Sequence, residues 1–269
     1  MSTKVDASAA LGLELGTRVV EYTDRDVILY ALAVGAKASE LELVFERDLR
    51  VLPTFGVIHG LWACDAICER GFFARETAVH GSQQLEVLAP LPPSGRIELT
   101  ARVAAVWDKG SAALFEIAVE CEYFRARYAI FAPGAGGWGG ERGPKLANSP
   151  DAAPSQTTQL QTWPEQAALY RLTGDRHLIH IDPQAARLIG QPRPILHGLC
   201  TLAAAGRELA NMVGAEPWNL TVLAGRFAAP VLPGESLTVE SWEPNEQGLT
   251  PFRVSRGDVV VVDAGLVRF

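Results

Sequence analysis

The sequence has little cysteine and no clustered positive charge, and each shortage excludes a class of function. Its four cysteines, Cys64, Cys68, Cys121 and Cys200, form no Cys-x-x-Cys pair and no disulfide-like spacing, which fits a reducing compartment. Cys64 and Cys68 could share a helix face, but no histidine stands near them in sequence, so they read as small buried apolar residues rather than metal ligands. Lys and Arg number 24 against 31 Asp and Glu, a net charge of −7, and no basic run is interleaved with aromatics. Affinity for a phosphate backbone rests on a basic surface, so a nucleic-acid partner is not expected. No apolar run reaches the length of a membrane span, the first residues lack a basic-then-apolar leader, and Val267-Arg268-Phe269 is not a peroxisomal address. The expectation is a cytoplasmic protein with no membrane partner. What the chain does have is 48% hydrophobic residues over 269 positions, enough for one large or two modest domains with a substantial core.

The first twenty residues carry little pattern. From there an N-cap candidate at Thr23 or Asp24 precedes apolar Val27, Leu29, Tyr30, Leu32 and Ala33, which predicts a helix. Residues 41–52 alternate apolar and charged side chains and predict a strand or extended loop. Ile58, Leu61, Cys64, Cys68 and Phe72 recur at the spacing of a second, more buried helix. Residues 84–88, 96–106, 112–123 and 126–131 then read as a run of antiparallel strands. Residues 132–158, rich in Gly, Pro, Ser and Asn, read as a linker between a repeat at 1–131 and another at 159–269. In the second repeat a helix over 195–213 carries one apolar stripe, Ile195, Leu199, Leu202, Gly206, Leu209 and Val213, and Gly206 marks close packing on a sheet.

The two halves are related. Tyr30 and Tyr170, Pro90 and Pro230, and Pro93 and Pro233 are each 140 positions apart, and His59-Gly60 and His197-Gly198 are 138 apart. Anchors in the same order at nearly one offset indicate an internal duplication. Each copy predicts a long helix followed by a curling antiparallel sheet, and two such α+β units pack most simply with their sheets continuous.

The chemistry concentrates in YRLTGDRHLIHID, Tyr170–Asp182, and in PILHGLC just after it. Asp175 and His180 are five positions apart, which on a regular helix or strand keeps their side chains from meeting. They converge only if the backbone loops. Gly174 permits such a turn, and Asp182-Pro183 reads as an N-cap with Pro at the first helical position. The first copy has Gly35 or Ala36 opposite Asp175 and Glu40 or Leu41 opposite His180, so it has lost both polar groups. Singly, Asp175 reads as a turn residue and His180 as a core histidine; their joint survival in one copy points to a single active site.

This motif resembles that of the MaoC-like, R-specific enoyl-CoA hydratase family, in which Tyr-Arg-Leu-Ser/Thr-Gly-Asp leads to Leu-His-Ile-Asp-Pro and then to an Ile-Leu-His-Gly helix start. The resemblance extends over the whole chain, including the Gly-rich connector, and implies a double hot-dog fold with an eroded first copy. It implies a hydro-lyase that adds water reversibly across trans-2-enoyl-CoA to give (3R)-hydroxyacyl-CoA, in fatty-acid or sterol side-chain metabolism. The alternatives are dehydration of (3R)-hydroxyacyl groups on acyl carrier protein and a non-catalytic acyl-CoA-binding protein. Carried over residue by residue, Asp175 and His180 hold the catalytic water and the Gly198 N–H meets the thioester oxygen, although Gly198 can also be read as simple close packing. Tyr170, Arg171, His177 and His197 support them, with Tyr170 and Arg171 bracing the loop and His177 either replacing the family's asparagine as a hydrogen-bonding group or lying in a solvated turn. No metal or cofactor is expected, coenzyme A being part of the substrate, and the partner expected is a second copy in a homodimer. One departure stands inside the motif: the family's Asn-Pro is His177-Leu178 here.

Overall fold

The computed structural model describes residues 6–145 and 147–269. In the first half β1 (Glu14–Tyr22) leads to helices α1 (Asp24–Ala33), α2 (Leu41–Val44), α3 (Phe55–Ile58) and α4 (Trp62–Glu69). Strands β2 (Val79–Val87), β3 (Gly95–Asp108), β4 (Ala112–Glu120) and β5 (Phe124–Pro133) follow. The second half repeats the plan with β6 (Gln156–Gln161), α5 (Gln166–Tyr170), α6 (Pro183–Leu188), α7 (Gly198–Val213), β7 (Val222–Phe227), β8 (Ser236–Ser241), β9 (Thr250–Arg256) and β10 (Val259–Arg268). All ten strands form one sheet in the order β1-β3-β4-β5-β2-β7-β10-β9-β8-β6. From the β2/β7 seam outward, each half runs through its strands in the same order. The expected double hot-dog with a continuous sheet is what the chain forms.

Local sequence explains most elements. In β3 the alternation buries Ile97, Leu99, Ala101 and Val103 on one face. At the start of α1 the Asp26 carboxylate accepts from both the N–H and the hydroxyl of Thr23, at 2.9 and 2.8 Å. Helix α7 is the central helix of the second half, and every residue from Leu199 to Arg207 is buried. A Cβ on Gly206 would lie 3.5 Å from Leu223 of β7, the close approach its place on the stripe implies. Gly214 ends the helix in a left-handed conformation at φ 66°.

Four expectations need correction. The patternless start contains β1, an edge strand whose burial alternates only faintly because most of its residues face solvent. Of the two readings of residues 41–52, the strand is absent: the single turn α2, which buries only Leu43, leads into a loop. The second helix is broken into α3 and α4. At the break the N–H groups of His59, Gly60 and Leu61 bond three residues back, while the Val57 carbonyl accepts from the Tyr128 hydroxyl. The apolar stripe of α7 is also shorter than read, since Ile195 precedes the helix and Val213 is 46% exposed.

Two polar devices hold the assembly. The last carbonyls of α1 are met by the other half: Ala33 O accepts from Gln166 Nε2 at 3.0 Å and Val34 O from Arg207 Nη1 at 3.2 Å. Arg207, buried on α7, also forks onto both Glu40 oxygens at 2.6 and 2.7 Å. In the Gly-rich segment the Asp108 carboxylate accepts N–H bonds from Gly110, Gly137, Gly139 and Gly140 at 2.8–3.3 Å. The segment is fastened to the first half.

Glu40→Ala leaves the buried Arg207 guanidinium uncompensated and is expected to cost about 3 kcal/mol in urea unfolding. The N–H bonds from Gly137 and Gly110 lower the Asp108 pKa from 3.8 to about 2. Its contribution is therefore complete above the ordinary carboxylate range and is lost as pH falls through about 2. Asp108→Asn should lower stability at neutral pH and flatten the loss between pH 4 and 2 in acid unfolding curves, relative to the parent protein.

Candidate active site

Helix α5 ends in a tight turn, Arg171–Thr173, and the chain reverses at Gly174 with φ 153°, a conformation that side chains resist. A second tight turn, Leu178–His180, follows at once, and α6 then starts with the Asp182 side chain accepting from Gln184 N–H. This bend is the loop that the five-residue spacing demands. It places Asp175 Oδ2 4.0 Å from His180 Nε2. The separation is too long for a hydrogen bond, but it would let one water, set to the side, lie about 2.8 Å from each atom.

The tautomers follow from the partners. His180 Nδ1 lies 2.9 Å from the Ile195 carbonyl, which can only accept, so Nδ1 holds the proton and Nε2 faces Asp175 with a free lone pair. His197 Nε2 lies 3.1 Å from the Asp175 carbonyl and holds its proton there, leaving Nδ1 bare, buried and without a partner among the described residues. The rings of His180 and His197 stack, with centroids 3.6 Å apart and planes 22° from parallel. Burial lowers the His180 pKa below 6.5 although Asp175 and the Ile195 carbonyl pull it back. Burial, aided by His180, lowers His197 to about 3. Burial opposes ionisation of Asp175, yet the imidazoles and the His177 N–H together hold its carboxyl below the ordinary value. The resting site is one carboxylate beside two neutral imidazoles.

His177 answers the departure in the motif. Its Nδ1 accepts from Ile179 N–H at 3.3 Å, capping the Leu178–His180 turn as an asparagine oxygen can, while its own N–H donates to Asp175 Oδ1 at 3.1 Å. Tyr170, fully buried, packs on His197 with ring centroids 4.7 Å apart. Arg171 makes no ion pair among the described residues, and its Nε is buried without a partner. Gly198 is the first residue of α7, which no side chain caps, and among the described residues no group accepts its N–H. A Cβ there would come 3.0 Å from the Phe227 ring. The N–H is therefore free, at the positive end of a 16-residue helix.

Asp175, His180 and His197 bring their ligating atoms within 4.8 Å of one another, as metal ligands do. Stacked rings, however, send their in-plane lone pairs side by side instead of toward a common point. The arrangement serves proton transfer better than coordination.

His80 belongs to no motif of the chain, yet its ring lies against Phe227 at 5.1 Å and over Tyr128 at 5.8 Å, close enough for Asp175 to raise its pKa against the larger lowering by burial. No spacing pattern ties it to Asp175, and only the seam between β2 and β7 brings them near. In the first half His59 stacks instead on Tyr22, and the Tyr128 hydroxyl fills the space above Gly60.

Two family models match, MFE-2 hydratase 2 N-terminal domain over residues 20–132 and MaoC like domain over residues 145–263. The chain is 37% identical to 3-hydroxyacyl-thioester dehydratase Y of Mycobacterium tuberculosis, the match covering 97% of both. It is 33% identical to Enoyl-CoA hydratase ChsH3 of the same organism, over 97% of this chain and 98% of that one. A crystal structure of a MaoC-like dehydratase from Phytophthora capsici superposes with a TM-score of 0.87 at 26% identity, covering 98% of this chain and 97% of the other. With a duplicated fold, an Asp-His pair on a bent loop and relatives that match from end to end, the chain belongs to the MaoC-like hydratase and dehydratase family.

Proposed function

We propose that this chain is a hydro-lyase that reversibly hydrates trans-2-enoyl-CoA to (3R)-hydroxyacyl-CoA. The observation that carries the reading is the bare Nε2 of His180, fixed by the Ile195 carbonyl and facing the Asp175 carboxylate across a water-sized gap. Asp175 accepts one hydrogen of the water and orients it. His180 Nε2 takes the other proton as the oxygen bonds to C3, and the C2–C3 π electrons move toward the thioester oxygen. The Gly198 N–H meets that developing oxyanion, a contribution of about 3 kcal/mol where such donors have been removed. His180 then returns the proton to C2 on the same face, so addition is syn. The reverse sequence dehydrates the hydroxyacyl thioester.

The relatives' names support both directions, one being called a hydratase of enoyl-CoA and another a dehydratase of 3-hydroxyacyl thioesters. The second name leaves the carrier open, which keeps acyl carrier protein as the alternative. No helix among the described residues is long and apolar enough to cross a membrane. The proposal includes a homodimer, supported by the family resemblance, and a cytoplasmic location, supported by the four cysteines being free.

Loss of enoyl-thioester absorbance on mixing with enoyl-CoAs, followed by chiral analysis, should show a 3R product; an S product or no turnover overturns the reading. Asp175→Asn and His180→Ala should each lower kcat by about 10²–10⁴-fold with the fold intact by circular dichroism. His177→Asn should keep activity within about threefold, because the amide oxygen can cap Ile179 in place of Nδ1. The base must be neutral and its pKa is held down by burial, so kcat/KM should stay level as pH falls through 6.5 and decline only below it.

A further inference from the structure

His197 touches the acid, the base and the oxyanion donor while being itself buried. Its ring lies flat on His180, its Nε2–H holds the Asp175 carbonyl, and its backbone immediately precedes the Gly198 N–H. On the far side Tyr170 supports the ring, which is 1% exposed. The equivalent His59 of the first half packs on Tyr22 and Phe55 and faces no carboxylate–imidazole pair, so a histidine before glycine is compatible with the fold alone. What differs in the second half is that the same residue bridges the acid, the base and the oxyanion donor.

We propose that His197 is a positioning residue that locks Asp175, His180 and the Gly198 N–H into one rigid unit and keeps water off the covered face of His180. This rests on the hydratase reading for its kinetic consequences, though not for its geometry. The hydrogen bond fixes where the Asp175 backbone stands and so where its carboxylate meets the water. The stack fixes the plane of the His180 ring and so the direction of its Nε2 lone pair. A neutral ring is required for this, because a charged one would repel the imidazolium formed when His180 accepts a proton. Burial supplies that neutrality. The other titratable or charged groups acting on the two rings are Asp175, His177 and Arg171, with Tyr170 packed against His197.

Two substitutions separate the two contacts. His197→Gln can reach the Asp175 carbonyl but covers nothing, whereas His197→Phe covers His180 but cannot donate. Each should lower kcat at least tenfold with KM within about twofold. In the Gln variant water reaches the uncovered ring, so the acid limb set by His180 should move up toward 6.5, while in the Phe variant it should stay where the parent protein has it. Equal losses in both with an unmoved limb would mean that the residue only fills space, and wild-type kinetics in either would also overturn the proposal. A readout free of turnover and of the variants is the ¹⁵N spectrum of the parent protein. It should show His197 as the neutral Nε2–H tautomer and His180 as the Nδ1–H tautomer at neutral pH, with His197 still neutral when His180 is protonated. A protonated His197 at mildly acid pH overturns the inference whether or not the enzyme hydrates enoyl-CoA, and absence of turnover with both tautomers as stated counts only against the hydratase reading.

Discussion

Five residue pairs along β2 and β7, from Ser82–Arg226 to Glu86–Val222, set how the two halves stand to one another, and the site depends on that ladder. The residues of the acid–base pair and the free N–H come from the second half alone. Their enclosure does not: Ile58 lies against Gly174, and His80 lies against the Phe227 ring that packs at Gly198. A slip of one residue along β2 and β7 would turn every side chain of one strand to the opposite face. The grip of Gln166 and Arg207 on the end of α1 acts in the same sense from the helical side.

Legibility in the sequence followed the range of the interaction. Asp175 and His180 were visible because a glycine turn and a Pro-started helix are encoded within a few residues of the groups they place, whereas Gly198 was reached through the family resemblance and the helix start itself was placed three residues early. The stack of His180 on His197 was not visible, since it depends on how the bent loop folds back over the start of α7. The division of the second helix was hidden for a related reason: Tyr128 on a later strand takes the Val57 carbonyl. β1 was missed because an edge strand facing solvent leaves only a faint alternation, while β3, buried on one face, was plain. The role of His177 needed coordinates, because nothing in a sequence says that an imidazole nitrogen stands where a cap acceptor is wanted.

The duplication shows how a site is lost without loss of fold. The first copy keeps its His-Gly pair, but the Tyr128 hydroxyl lies over Gly60, where the second copy keeps a free helix start behind Phe227. Its histidine meets aromatic rings in place of a carboxylate. There the Gly60 N–H bonds the Val57 carbonyl, which also accepts from the Tyr128 hydroxyl, so this copy has turned its helix-start donor inward.

The Gly-rich segment has a consequence for assembly. Asp108 and Lys109 fasten it to the first half as far as Arg142, and Asn148 and Ser149 fasten it to the second, Asn148 accepting from Arg226 and Ser149 donating its N–H and hydroxyl to Asp263 Oδ1 at 3.0 and 2.7 Å. The two halves are therefore joined by a short leash. A short leash keeps each half at high effective concentration around the other, so the β2/β7 seam can close without the affinity that separate subunits would need. Fusion of two ancestral subunits on so short a connection removes the dependence of pairing on protein concentration, and with it the need for both copies to stay identical.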